Sequence, residues 1–227
     1  MIKALIFDFD GLILDTESPF FRAWQAIFRE YGYEIAPAEW AIWLGAAADP
    51  QQPYEHLEHH LGRTIDREAF HRRRMLRESE LLAAQSAAAG FLDFAKEARR
   101  RGLRLAVASS SDRAWVEGHL ARLGLKDLFS CIKCAEDVKR TKPSPDLYLA
   151  VLDDLRVKPA QAVAFEDSGH GVRAAKAAGL FCIAVPNPIT RHLDLSLADM
   201  CIEGFDGLEV QEILAAADRR DAGSPRR

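Results

Sequence analysis

Apolar residues fall in short blocks along the chain, each closed by turn-forming residues. Residues 3–7 read as a buried strand that runs into Asp8-Phe9-Asp10-Gly11. Further blocks of this kind lie at 103–109, 131–133, 162–165, 181–185 and 200–202. They are continuous rather than alternating, as strands covered on both faces are. Helical periodicity fills the intervals at 113–123, 145–155 and 172–178. Ser144 before Pro145 predicts an N-cap followed by proline at the first helical position. Gly124 and Gly179 stand where helices should stop. Strand alternating with helix predicts a parallel α/β sheet with right-handed crossovers.

Residues 16–89 break the alternation. They show helical patterning without a convincing strand, with Trp24, Trp40 and Trp43 as large apolar anchors. A stretch of about seventy residues is too long for a simple crossover. The expected organisation is a discontinuous α/β core (1–15 and 90–218), an inserted helical subdomain (16–89) and a frayed polar tail (219–227). Asp15-Thr16 would be the exit and residues 83–90 the return linker.

Composition narrows the class. With 227 residues, 48% hydrophobic and 28% charged, the chain is not a disordered one. A formal charge of −4 offers no basic field for nucleic acid or an anionic membrane. No apolar run approaches the ~20 residues of a membrane span, and the N-terminal run is too short for a signal peptide. A cytoplasmic location is expected. Cys131 and Cys134 form a lone C-x-x-C within a strand-like run. Without further ligands nearby or a helix start, they read as buried structural thiols. His56 and His60 are one helical turn apart, but Glu58 is out of place for a zinc helix, so an exposed helix is expected.

Chemistry enters where polar residues follow apolar strands, since ligands of open parallel sheets sit at the strands' carboxyl ends. Asp8 and Asp10 follow the first strand, and Ser109, Ser110 and Ser111 the second. Lys142 lies in a strand-to-helix loop, and Glu166-Asp167 follow the fourth strand. Carboxylates crowded together repel, and a hard dication such as Mg²⁺ relieves this. The lysine and hydroxyls are then left as donors for a phosphoryl group. Water or a carboxylate could be the nucleophile. Asp8, ending a rigid strand, is the better placed carboxylate, and Asp10 could donate a proton and then take one back. Singly, each of these residues is an ordinary turn, cap or solvated side chain. Their joint order on successive strands carries the reading. Gly169 and Gly171 read as turn-formers.

Those residues bring a resemblance with them. Phe7-Asp8-Phe9-Asp10-Gly11-Leu12-Ile13-Leu14-Asp15-Thr16 resembles the first motif of the haloacid dehalogenase superfamily. Val107-Ala108-Ser109 resembles the second, Lys142-Pro143-Ser144-Pro145-Asp146 the third, and Phe165-Glu166-Asp167-Ser168-Gly169-His170-Gly171 the fourth. The resemblance implies a Rossmann-like three-layer α/β core with a parallel sheet and an inserted all-helical cap. It implies Asp8 as nucleophile and Mg²⁺ ligand, and Asp10 as general acid/base that binds the metal through its carbonyl. Ser109, Ser110 and Lys142 would bind phosphate, and Asp167 would complete the metal site, with Glu166 either a further ligand or a support behind the ligands.

An acid at position 10 sets aside dehalogenases and phosphonatases. The chain looks most like the β-phosphoglucomutase-like phosphatases, in Phe21-Arg22-Ala23-Trp24 as well as in the lysine motif. It departs from the mutases: Pro19-Phe20-Phe21 stand where they carry a histidine, and Ala46-Ala47-Ala48-Asp49 follow Gly45 where they carry an arginine. A second phosphate needs a cationic clamp. Arg77 or one of Arg72–Arg74 could contact substrate, but a solvated basic helix face is the expected reading of this run. The expected activity is a phosphatase for a small phosphorylated metabolite, a sugar or polyol phosphate. The alternatives are a sugar-phosphate mutase and a non-catalytic binding protein. A monomer is expected, with a dimer as the alternative.

Overall fold

The computed structural model describes residues 1–45 and 51–223. The chain divides into two compact units, one of Asp15–Gln85 with Asn187–Leu193, the other of Met1–Leu14, Ser86–Pro186 and the chain from Asp194 onward.

The first of these units is helical, and among its described residues there is no strand. It holds α1 (Glu17–Glu30), α2 (Pro37–Gly45), α3 (Gln52–Leu61) and α4 (Arg67–Ala83). In α1 the residues Phe21, Trp24, Ile27 and Phe28 recur every three or four places and are buried together on one stripe. Trp24 is the hub: its ring lies 4.9 Å from Tyr54, 5.2 Å from Phe70 and 5.7 Å from Trp40. These contacts tie all four helices, and such aromatic pairs add to plain area burial. Trp43 packs on the edge of the cluster. Gly62, at φ 64°, ends α3 in the left-handed conformation, and Asp66 caps α4 by accepting from Ala69 N at 2.9 Å.

Three expectations need revision here. Residues 187–193 fall within the span expected for the α/β core, but Ile189 is buried in this aromatic cluster and the segment belongs to the helical unit. The Arg72–Arg74 run is not a uniform solvated face. Arg72 and Arg73 pair on the surface with Glu68 and Glu30, whereas Arg74 is buried, pairs with Glu78 and lies 5.3 Å from the Trp24 ring. The His56–His60 helix is not simply exposed. His56 Nε2 is 2.7 Å from the Tyr33 hydroxyl and 3.3 Å from Glu39, while the Tyr33 ring packs on His60 at 4.6 Å. Residues 46–49, which bear on the cationic clamp, lie outside the described residues.

The α/β unit carries six strands: β1 (Ala4–Phe7), β2 (Arg104–Ala108), β3 (Cys131–Lys133), β4 (Ala162–Glu166), β5 (Phe181–Ala184) and β6 (Met200–Cys201). All pairs are parallel, in the order β3-β2-β1-β4-β5-β6. The helices are α5 (Phe91–Arg100), α6 (Arg113–Arg122), α7 (Asp146–Asp154), α8 (Gly169–Ala177) and α9 (Val210–Gly223). Successive strand residues face opposite ways, which builds three layers. Ala4, Ile6, Ala106 and Ala164 pack with α7 and α8 through Leu147, Val151 and Val172. On the opposite face Phe7 stacks on its cross-strand neighbour Phe165 at 4.8 Å and meets Phe91 of α5 at 5.3 Å.

The strands fall where the apolar blocks predict them. The helix termini shift for local reasons. Pro145 rather than Ser144 takes the N-cap of α7, because the Ser144 hydroxyl is turned onto Asp146 Oδ1 at 2.6 Å. Helix α8 starts at Gly169, three residues early, because Ser168 caps it by accepting from Gly171 N at 3.1 Å. Helices α5 and α9 were not anticipated. Residues 219–223 of the expected tail continue α9, and 224–227 lie outside the described residues. Cys131, Cys134 and Cys182 are buried free thiols. Burial pushes the Cys131 thiol up to about 12, which keeps it unreactive.

Candidate active site

Asp8 continues the line of β1, its N–H donating to Phe165 O at 3.0 Å. Glu166 is the last residue of β4, and Asp167 follows it. The three acids are buried, and one carboxylate oxygen from each lies within 4.8 Å of the others. The parallel register of β1 and β4 thus sets them side by side. Lys142 reaches in from the loop before α7. Its Nζ is 2.6 Å from Asp8 Oδ1 and 2.7 Å from Glu166 Oε1, with only 6% of the side chain exposed. The Tyr148 hydroxyl, from α7, donates to the same Glu166 oxygen, and its ring lies 5.4 Å from the ammonium.

Burial raises the Asp8 carboxyl from 3.8 to about 7, with Lys142 opposing and Glu166 and Asp10 adding to the rise. Burial acts to lower Lys142, but Asp8 and Glu166 outweigh it and hold the ammonium above its usual range. With all three acids ionised, one lysine leaves a buried set two charges negative. Glu166 Oε2 is buried without a hydrogen-bond partner. An orphaned acceptor and a doubly negative buried set of oxygens are what a hard divalent cation fits.

Gly171 has a role that the turn reading missed. A Cβ built there would sit 1.8 Å from Glu166 Oε2. Glycine at this place on α8 leaves room for the carboxylate. It is not an adaptation to a left-handed turn, because its φ is not positive.

Asp10 belongs to a second constellation. Its carboxylate is not one of the three clustered acids. Oδ2 accepts from Ser111 Oγ at 2.7 Å and Ser109 Oγ at 3.3 Å, and Oδ1 from Trp115 Nε1 at 2.8 Å. Ser109, expected on a phosphoryl oxygen, turns its proton to this carboxylate, since an acid is the stronger acceptor. Ser109 Oγ also accepts from Ser111 N at 3.0 Å. Ser110 is exposed, and its hydroxyl accepts from Lys142 N at 3.3 Å. Trp115 and Tyr148 carry no motif in the sequence that marks them. An aromatic in the first turn of the helix after the second motif is the signal that could have found Trp115.

A family model described as haloacid dehalogenase-like hydrolase matches residues 5–185. The chain belongs to that family of hydrolases. It is 41% identical to the phosphatase-named protein YhcW of Bacillus subtilis (strain 168), over 94% of this chain and 97% of that one. It is 35% identical to the fructose-1-phosphate phosphatase YqaB of Escherichia coli (strain K12), over 80% of this chain and 95% of that one. The crystal structure of CbbY from Rhodobacter sphaeroides with phosphate shares 33% identity and aligns with a TM-score of 0.69, covering 96% of this chain and all of that one. No helix among the described residues is long and apolar enough to cross a membrane.

Proposed function

We propose that this hydrolase is a Mg²⁺-dependent phosphatase that cleaves a small sugar or polyol phosphate through an aspartyl-phosphate. One observation carries the reading. A buried strand-end carboxylate, Asp8, touches a buried lysine beside two further acids, while Asp10 is held apart by neutral donors. The names of two relatives, a phosphatase and a fructose-1-phosphate phosphatase, support the ester class.

Mg²⁺, held by Asp8, the Asp10 carbonyl, Glu166 and Asp167, would neutralise phosphoryl charge and fix its orientation when bound. Asp8 attacks phosphorus in line with the ester oxygen. The P–O bond to the alcohol breaks, and Asp10 gives that oxygen a proton. Water then attacks the aspartyl-phosphate while Asp10 takes its proton, which restores Asp8 and releases inorganic phosphate. Lys142 offsets the charge gathering on the phosphoryl oxygens. Ser110 accepts from Lys142 N, so its own proton is available to a phosphoryl oxygen. Ser109 is placed to donate once its hydroxyl turns from Asp10.

A phosphate-release screen across phosphorylated metabolites with Mg²⁺ tests the proposal, with Asp8→Asn as control. The expected result is turnover of a few sugar or polyol phosphates, lost with EDTA and in the variant. Isomerisation of a hexose 1-phosphate primed with a bisphosphate, without net release, would instead assign a mutase. Turnover equal in Asp8→Asn would overturn the nucleophile.

A further inference from the structure

Besides Ser109, Asp10 is gripped by two donors with no part in the steps above. The Trp115 indole N–H donates to Oδ1 at 2.8 Å, and the Ser111 hydroxyl donates to Oδ2 at 2.7 Å. Trp115 is itself fixed twice over. Its backbone N–H donates at 2.7 Å to Asp112, the N-cap of α6, and its ring meets His119 edge-on with centroids 4.4 Å apart. An indole offers one polar hydrogen, a donor only, on a broad stiff ring. A carboxylate bonded at each oxygen by a separate donor cannot turn about its Cβ–Cγ bond without breaking both contacts.

We propose that Trp115 is a positioning residue for Asp10. Its indole N–H sets the plane of the carboxylate so that the acid meets the leaving oxygen within hydrogen-bond reach. Proton transfer depends steeply on that placement, and a freely turning acid would be correctly oriented only part of the time. Trp115 acts through its hydrogen bond to Asp10 and itself gives up no proton. The inference rests on the proposed reading of Asp10 as general acid and base.

Trp115→Phe tests it, because phenylalanine keeps an aromatic ring on α6 near His119 while losing the indole N–H together with part of the ring, and Ser111→Ala removes a donor without that loss of volume. The quantity to compare is kcat/KM, which reports steps up to alcohol release, for the best alkyl phosphate of the screen and for p-nitrophenyl phosphate. The expected loss is about tenfold or more for the alkyl ester and under about threefold for the aryl ester, whose leaving group needs no proton. Ser111→Ala should show the same split and covers the case of a poorly folded Trp115 variant. Asp10→Asn supplies the reference. If Asp10→Asn spares the alkyl ester, the acid reading fails and the positioning role falls with it. If Asp10→Asn loses the alkyl ester but Trp115→Phe and Ser111→Ala keep both substrates within about twofold, or lose both equally, only the positioning role is overturned.

A second readout needs no turnover. In protein labelled with ¹⁵N at the indole nitrogens, the Trp115 signal is the one missing in Trp115→Phe. It should move in Asp10→Ala, and an unmoved signal overturns the contact.

Discussion

Burial pulls Asp8 in two directions. The carboxyl rises from 3.8 to about 7 because it is desolvated, yet the roles proposed for it, metal ligand and nucleophile, both need it ionised. Lys142 eases the conflict without removing it, since it is shared with Glu166. Asp8→Asn should cut phosphate release by at least about a thousandfold. It should leave the melting temperature within about 5 °C of wild type, because the amide keeps the volume of the side chain and Lys142 keeps Glu166 as its ion-pair partner. Gly171 makes the complementary case. In Gly171→Ala the new methyl meets Glu166 Oε2 at 1.8 Å, so the carboxylate must move. The expected result is an apparent Mg²⁺ affinity weakened by about tenfold or more, read from a metal titration of activity.

Elements aim these side chains. Parallel pairing of β1 with β4 brings Asp8 beside Glu166, and α6, capped by Asp112, carries Trp115 to Asp10. The start of α5 depends on Gly90. It has φ 75°, and a Cβ there would lie 2.5 Å from the backbone of Phe205 and Asp206. Strain and collision act together in Gly90→Ala, so it should destabilise by about 2–3 kcal/mol, measured by urea unfolding. Gly32, with φ 79° but open space around the would-be Cβ, carries only the strain. Gly32→Ala should therefore cost clearly less, about 1 kcal/mol.

For the whole molecule, metal, proton and stability are linked through Asp8. Between 3.8 and about 7 the folded state keeps a proton that the unfolded chain has lost. The metal-free protein is therefore favoured by this group at low pH, and the advantage declines as pH rises toward about 7. Above that the full cost of the buried charge remains, and a divalent ion can offset it without displacing a proton. The rise in melting temperature on adding Mg²⁺ should thus be larger at about pH 8.5 than at about pH 5.5. Thermal melts with and without Mg²⁺ at the two values check the sign. An equal rise at both would mean that Asp8 does not govern the coupling.

The place of each strand along the chain and the address of each strand-end residue were legible in the sequence because both are local. Continuous apolar blocks make buried strands, and turn residues close them. Asp8, Ser109 and Glu166 therefore stand at positions that the pattern marks. The Lys142 loop was legible from its place between a strand and a helix. What stayed hidden depends on neighbours distant in sequence. Trp115 matters because α6 returns it to Asp10, and Tyr148 because α7 lays it against Glu166. Gly171 matters because its missing side chain is the space a carboxylate fills, and no local rule encodes an empty volume. Residues 187–193 join the helical unit, with Ile189 buried in its aromatic cluster. The chain by itself determined which residues reach the carboxyl edge of the sheet. Only tertiary packing decided which of them touch, because contact between side chains is set by the register and approach of whole elements.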